Sequence, residues 1–160
     1  MRLVRVLIII VVILIISAIN LQSNPTESIN NWKKLSEQGS IYLTLAKDLM
    51  EMAKASSGND IEFQIEYELS ILAAEANDVF EAASDLLWIY EQISNPIDRI
   101  AVKIYINKRV NDYTSRLDFL IKQVNTRLSY SKSPGVAANG LRLKDELRSG
   151  QNLLKSAVIK

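Results

Sequence analysis

The chain has 160 residues, 19 Lys and Arg against 18 Asp and Glu, a formal net charge of +1, and neither Cys nor His. The two zeros exclude disulfides, thiolate zinc sites, iron–sulfur clusters, thiol nucleophiles and imidazole bases. Ser–His–Asp triads, His-ligated haem and Glu-x-x-His di-iron bundle sites go with them, although a carboxylate-only enzyme survives the exclusions.

The N-terminus opens Met1-Arg2-Leu3-Val4-Arg5, and an unbroken apolar run follows from Val6 to Ile16. Ser17, Ala18 and Ile19 carry it to Asn20. No polar face exists in the run, which argues against a buried core helix. An apolar stretch of this kind is short for a span of about 20 residues, but counting from Leu3, with Arg5 reaching back to headgroups, lengthens it. The sequence therefore predicts a signal anchor over residues 1–20. The alternative is a signal peptide cut after Ala18, although Ile16-Ser17-Ala18 matches a small-residue cleavage site poorly. Arg2 and Arg5 precede the run, and the next basic residues are Lys33 and Lys34. The positive-inside rule then places the N-terminus in the cytoplasm and the rest of a single-pass chain outside.

After a short linker at 21–26, residues 27–160 read as an extracytoplasmic all-α unit. Four helices are expected, at about 27–56, 60–94, 96–131 and 135–158. Each prolines' context is a helix start. Asn24-Pro25, Asn95-Pro96 and Ser133-Pro134 pair a capping side chain with Pro at the first helical position, where a missing N–H costs nothing. Asn59-Asp60-Ile61-Glu62 resembles a capping box, and Gly58 before it suits a C-terminal cap.

Apolar stripes support each helix. The first carries Trp32, Leu35, Gly39, Tyr42, Ala46, Leu49 and Ala53. The second carries Ile65, Leu69, Leu72, Ala76, Val79, Ala83, Leu86, Tyr90 and Ile93, alternating spacings of four and three as a coiled-coil seam does. The third carries Val102, Ile106, Val110, Tyr113, Leu117, Leu120, Val124 and Leu128. The fourth, Val136, Gly140, Leu143, Leu147, Gly150 and Leu154, includes two glycines, each costing about 1 kcal/mol relative to Ala, and is expected to fray or break. Only Ser94-Asn95-Pro96 joins the second and third, which should fold back as a long antiparallel hairpin. The expected fold is an elongated up-down-up-down four-helix bundle.

The near-zero charge conceals a split. Residues 20–96 hold four lysines against thirteen acids, a balance of −9, whereas 97–160 hold thirteen Lys and Arg against five acids, a balance of +8. Like-charge pairs at i,i+4, Glu62/Glu66 and Glu81/Asp85, call for opposite charge nearby. Folding about Ser94–Pro96 would level Arg99 with Glu91, Lys103 with Asp85, Lys108 with Glu81, Arg116 with Glu75, Lys122 with Glu68 and Arg127 with Glu62. These six rungs are expected to flank the hairpin seam.

No catalytic, cofactor-binding or metal-ligating residue is assigned. Lys103, Lys108, Arg109, Arg116 and Lys122 interleave with Tyr105, Tyr113 and Phe119, a pattern that nucleic-acid binding would need. An extracytoplasmic location favours instead a solvated face that neutralises the acidic helix. Asn107, Asn111 and Thr114 form a polar line, expected on the exposed side; facing inward, it could line a ligand cleft between helices. Ala73, Ala74, Ala76, Ala82 and Ala83 permit close helix approach.

In plan, an anchor followed by long helices, the chain resembles the periplasmic four-helix sensor domains of bacterial chemoreceptors, without a shared motif. That resemblance implies a ligand-sensing bundle working with a separate signalling partner. The residues themselves point first to a non-enzymatic, membrane-anchored structural or protein-interaction module, held in the membrane by residues 3–19, with a protein partner or self-association and no cofactor or nucleic acid. An exported soluble bundle is the third expectation, should the leader be cut.

Overall fold

A computed structural model describes residues 25–56 and 58–159, with side chains from residue 31 onward. Four helices occupy nearly all of this: α1 Pro25–Ala55, α2 Asp60–Gln92, α3 Pro96–Leu128 and α4 Pro134–Ser156. There is no strand among the described residues. The apolar run of residues 3–19, its assignment as an anchor or leader, and the Asn24 cap all lie outside them. None of the four helices is long and apolar enough to cross a membrane. Helix α1 begins at Pro25, two residues before the expected start.

Capping chemistry explains three of the starts. The Asn59 side chain accepts from the Glu62 N–H at 3.3 Å, and that of Asn95 from the Ile97 N–H at 2.9 Å. The Ser133 hydroxyl accepts from the Val136 N–H at 3.4 Å. All three cap residues are extended, so each satisfies an N–H with no carbonyl partner inside the helix. The expected glycine cap does not form, because Gly58 is not left-handed. The end of α1 is closed instead by the Ser56 N–H on the Met52 carbonyl (2.9 Å), and the Asn59 N–H on Ser56 (2.8 Å) closes the turn.

Neighbouring helices run antiparallel. The Ser84 hydroxyl donates to the Trp32 carbonyl at one end of the α1/α2 pair, and Ser56 to Glu66 at the other. Glu75 meets Arg116 and Glu68 meets Arg127 between α2 and α3. Gln151 reaches the Thr114 carbonyl (3.2 Å) between α4 and α3. Tyr42 donates to the Glu146 carbonyl (2.6 Å) between α1 and α4. The order around the bundle is thus up-down-up-down. Helices α2 and α4 also meet across the middle, whereas α1 and α3 do not.

Every seam position read from the sequence is buried or half-buried. Helix α2 is buried more broadly than its seam. Glu62, Glu66, Ser70, Ala73, Asn77, Phe80, Ser84 and Leu87 form a second inward stripe beside it. That follows from its place in the bundle, where it packs most extensively on α1 and also meets α3 and α4.

Helix α4 is continuous, contrary to the expected break. Its glycines sit at close approaches: Gly140 faces the Leu128 side chain, and Gly150 faces the Tyr42 hydroxyl and the Phe80 ring. Packing there offsets what the glycines cost in backbone entropy. A Cβ on Gly150 would stand 2.7 Å from Phe80 Cζ, and both Tyr42 and Phe80 are fully buried. At Gly140 it would meet only the end of a half-buried leucine. Gly150→Ala is therefore expected to destabilise by about 1–2 kcal/mol, the strain of overpacking less the gain in helix propensity. Gly140→Ala should be close to neutral. Urea unfolding followed by circular dichroism measures both.

Candidate interaction surfaces

Several interior polar groups hold helices together. Glu62, nearly buried, accepts from the Ser131 hydroxyl (2.8 Å) and the Lys132 N–H (3.1 Å), tying the start of α2 to the α3–α4 loop. Glu66 accepts from Ser56 (2.7 Å). These partners also answer the Glu62/Glu66 repulsion apparent in the sequence. Burial pushes the Tyr42 hydroxyl well above its ordinary pKa, which keeps it a donor to Glu146. Gln38 from α1 also reaches the Glu146 carboxylate, at 3.2 Å.

Of the six expected ionic rungs, Arg116–Glu75 is present. Arg127 pairs with Glu68 rather than Glu62. The displacement has a cause, because Glu62 is already taken by the donors of the α3–α4 loop. Hydrogen bonds from Gln64 and from Arg127 hold the Glu68 carboxyl below the usual range. Arg99 lies over the Tyr90 ring (4.7 Å) instead of pairing with Glu91. Lys103, Lys108 and Lys122 form no ion pair among the described residues.

The interleaved basic and aromatic side chains of α3 are largely used up by one another. Arg109 stacks on Tyr113 (5.0 Å) and pairs with Asp112 (3.2 Å), while Arg116 stacks on Phe119 (4.6 Å). The polar line does not stay together. Asn111 is exposed, and Thr114 bonds back to the Val110 carbonyl at 2.8 Å. Asn107, expected in solvent, is half-buried and exchanges two hydrogen bonds with the Ile159 backbone (2.9 and 3.0 Å), pinning the chain beyond α4 to α3. Among the alanines, Ala73, Ala76 and Ala83 are buried, and Ala74 and Ala82 half-buried.

Among the described residues no three His, Cys, Asp or Glu side chains converge as metal ligands. The concavities are surface grooves. One of about 290 Å³ runs between α1 and α2, with Ala46, Met50, Ser70, Ile71 and Ala74 as its lining and Lys47 and Glu51 at its rim. A second, of about 270 Å³, lies between α1 and α4 at Ser40, Ile41, Thr44 and Arg142. Both fall just under the usual size range of small-molecule sites.

The sequence reading missed a second apolar stripe on α3. Ile97, Ile100 and Ile104 point outward, 77%, 62% and 68% exposed. They lie opposite the core-facing Val102, Ile106 and Val110, as the 100° helical step requires. Their spacing of three and four is itself a signal, out of phase with the seam. Trp88 and Ile89, near the end of α2, are each about half exposed.

Compared with protein-family models, curated proteins and solved structures, the chain matches none.

Glu62 is buried with two donors and Glu75 is an exposed partner, so their truncations should differ. Glu62→Ala is expected to lower stability by about 1–3 kcal/mol, because two donors lose their acceptor. Coupling between Glu75 and Arg116, read from a double-mutant cycle of alanine substitutions, should stay below about 1 kcal/mol and shrink in high salt.

Proposed function

We propose that this chain is a non-enzymatic helical bundle tethered to a membrane, working through its outer faces as a structural or protein-interaction module. The observation that carries the proposal is the apolar run over residues 6–19, with Arg2 and Arg5 on one flank and a folded helical unit on the other. On this reading the N-terminus is cytoplasmic and the bundle extracytoplasmic. The packing supports action by surface contact. Glu62, Tyr42 and Asn107, side chains that catalysis or ligand binding would recruit, are committed to the α3–α4 loop, the Glu146 carbonyl and the Ile159 backbone. A sensor for small ligands would call on the polar line of α3, and its Asn107 is held by the Ile159 backbone.

Fractionation of the full-length protein tests the tether. The chain should remain with membranes after alkaline carbonate extraction and keep its N-terminal apolar run. Protease added outside spheroplasts or right-side-out vesicles should digest the bundle. A soluble mature chain beginning at Ile19 would overturn the proposal in favour of an exported bundle.

A further inference from the structure

Among the described residues, five large apolar side chains are more than 60% exposed, and three of them are Ile97, Ile100 and Ile104. They form one stripe at the start of α3, with exposed Ala101 between. The antiparallel order puts this stripe at a particular end. Ser84 of α2 is bonded to Trp32 of α1, and Asn107 of α3 to Ile159 after α4. The start of α1, the end of α2, the start of α3 and the end of α4 therefore share one end of the bundle. Trp88 and Ile89 belong to it as well.

That is the end at which the chain enters from the N-terminal apolar run. Five residues, 20–24, separate the run from α1. Fully extended they span at most about 17 Å. A bundle tethered there has this end, and not the other, held at the bilayer surface, so a contact between the two is intramolecular in effect. From Ile97 to Ile104 the stripe rises about 10 Å along the helix. A headgroup layer is roughly 5–7 Å deep, so the isoleucines enter it when the bundle leans onto α3. Tryptophan favours the same layer.

We infer that the lipid–water interface of the membrane holding the tether is the partner of this face, with Ile97, Ile100 and Ile104 as the inserted side chains. The inference rests on the tethered reading. Lys33, Lys34, Arg99, Lys103 and Lys155 lie at this end, and Asp85, Glu91 and Asp98 offset them in part. Apolar insertion therefore carries the contact, and it should depend little on anionic lipid.

The absence of cysteine makes the test clean. Ile100→Cys and Ser115→Cys, on the same outward face about 22 Å apart, are labelled with an environment-sensitive fluorophore. The full-length chain is then reconstituted into phosphatidylcholine vesicles with and without phosphatidylglycerol. The position-100 label should be blue-shifted, quenched severalfold more by a nitroxide lipid than the position-115 label, and shielded from aqueous iodide, in both lipid mixtures. In an Ile97→Ser, Ile104→Ser background the chain should still float with the vesicles while that quenching is lost. A floating chain whose position-100 label stays open to iodide overturns the inference and leaves the tether standing. Failure to float overturns the tether and the inference together. Shielding without lipid quenching, with self-quenching relieved by unlabelled chain, would mean that a second copy covers the face, and would equally overturn it.

Discussion

Tyr42 and Phe80 leave room for only a hydrogen at residue 150, and that contact decides how near α1, α2 and α4 approach one another. The two rings lie 5.3 Å apart at a tilt, and the Tyr42 hydroxyl is fixed by the Glu146 carbonyl one turn before Gly150. Three helices are thereby locked at one height. Above and below that level leucine is the commonest core residue, with Leu35, Leu49, Leu69, Leu117, Leu143 and Leu147 fully buried or nearly so. Each contributes about 1.5–3 kcal/mol by leaving water. Leucines supply most of the energy but tolerate sliding and repacking, whereas the glycine contact and its hydrogen bond admit one arrangement.

Helix α2 bears the consequence. Packed extensively on α1 and meeting α3 and α4 as well, it buries two adjoining faces, and one of these includes polar side chains. Buried polar groups are tolerated where they are bonded. Ser84 reaches across to α1, Glu66 to the end of α1 and Glu62 to the α3–α4 loop. Ser70 turns back on its own Tyr67 carbonyl. The first three fix where α2 begins and ends against its neighbours. They convert a potential liability of the helix into its register.

The seam was legible in the sequence because a 3.6-residue period declares one buried face, and all four stripes of residues face inward. A helix with two buried faces has no such signature. The second stripe of α2 alternates Glu, Ser and Asn with Ala and Phe, so hydropathy alone reads it as surface. The outward isoleucines of α3 were obscured in the opposite way, because the longer seam that begins at Val102 overlaps them. Ion pairs were the least legible. Levels in a hairpin are fixed by chain length, but an arginine arm reaches a full turn either way, and local partners such as Tyr90 compete for it. The break expected in α4 failed for a related reason. A glycine's backbone cost is visible in the sequence, but the neighbour that requires its missing side chain is not.

The charge split and the apolar stripe of α3 belong to one pattern. The ion pairs joining different helices, Glu75–Arg116, Glu68–Arg127 and Asp48–Arg142, each set an acid of the N-terminal half against an arginine of the C-terminal half. Because the pairs between α2 and α3 lie toward the end away from Ile97, neutralisation concentrates there. Along the outward face of α3 the side chains pass from Ile97, Ile100, Ala101 and Ile104 to Lys108, Asn111, Ser115, Asp118, Phe119 and Lys122, all exposed. A helix solvated along its whole length has no use for three isoleucines at one end of that face. Core packing does not require them either, since Ile106 and Val110 already fill the inward side. Apolar at the end where α1 begins and polar thereafter save for Phe119, which the Arg116 guanidinium overlies, the face is graded in the direction that an interface with lipid at one end and water beyond it would impose.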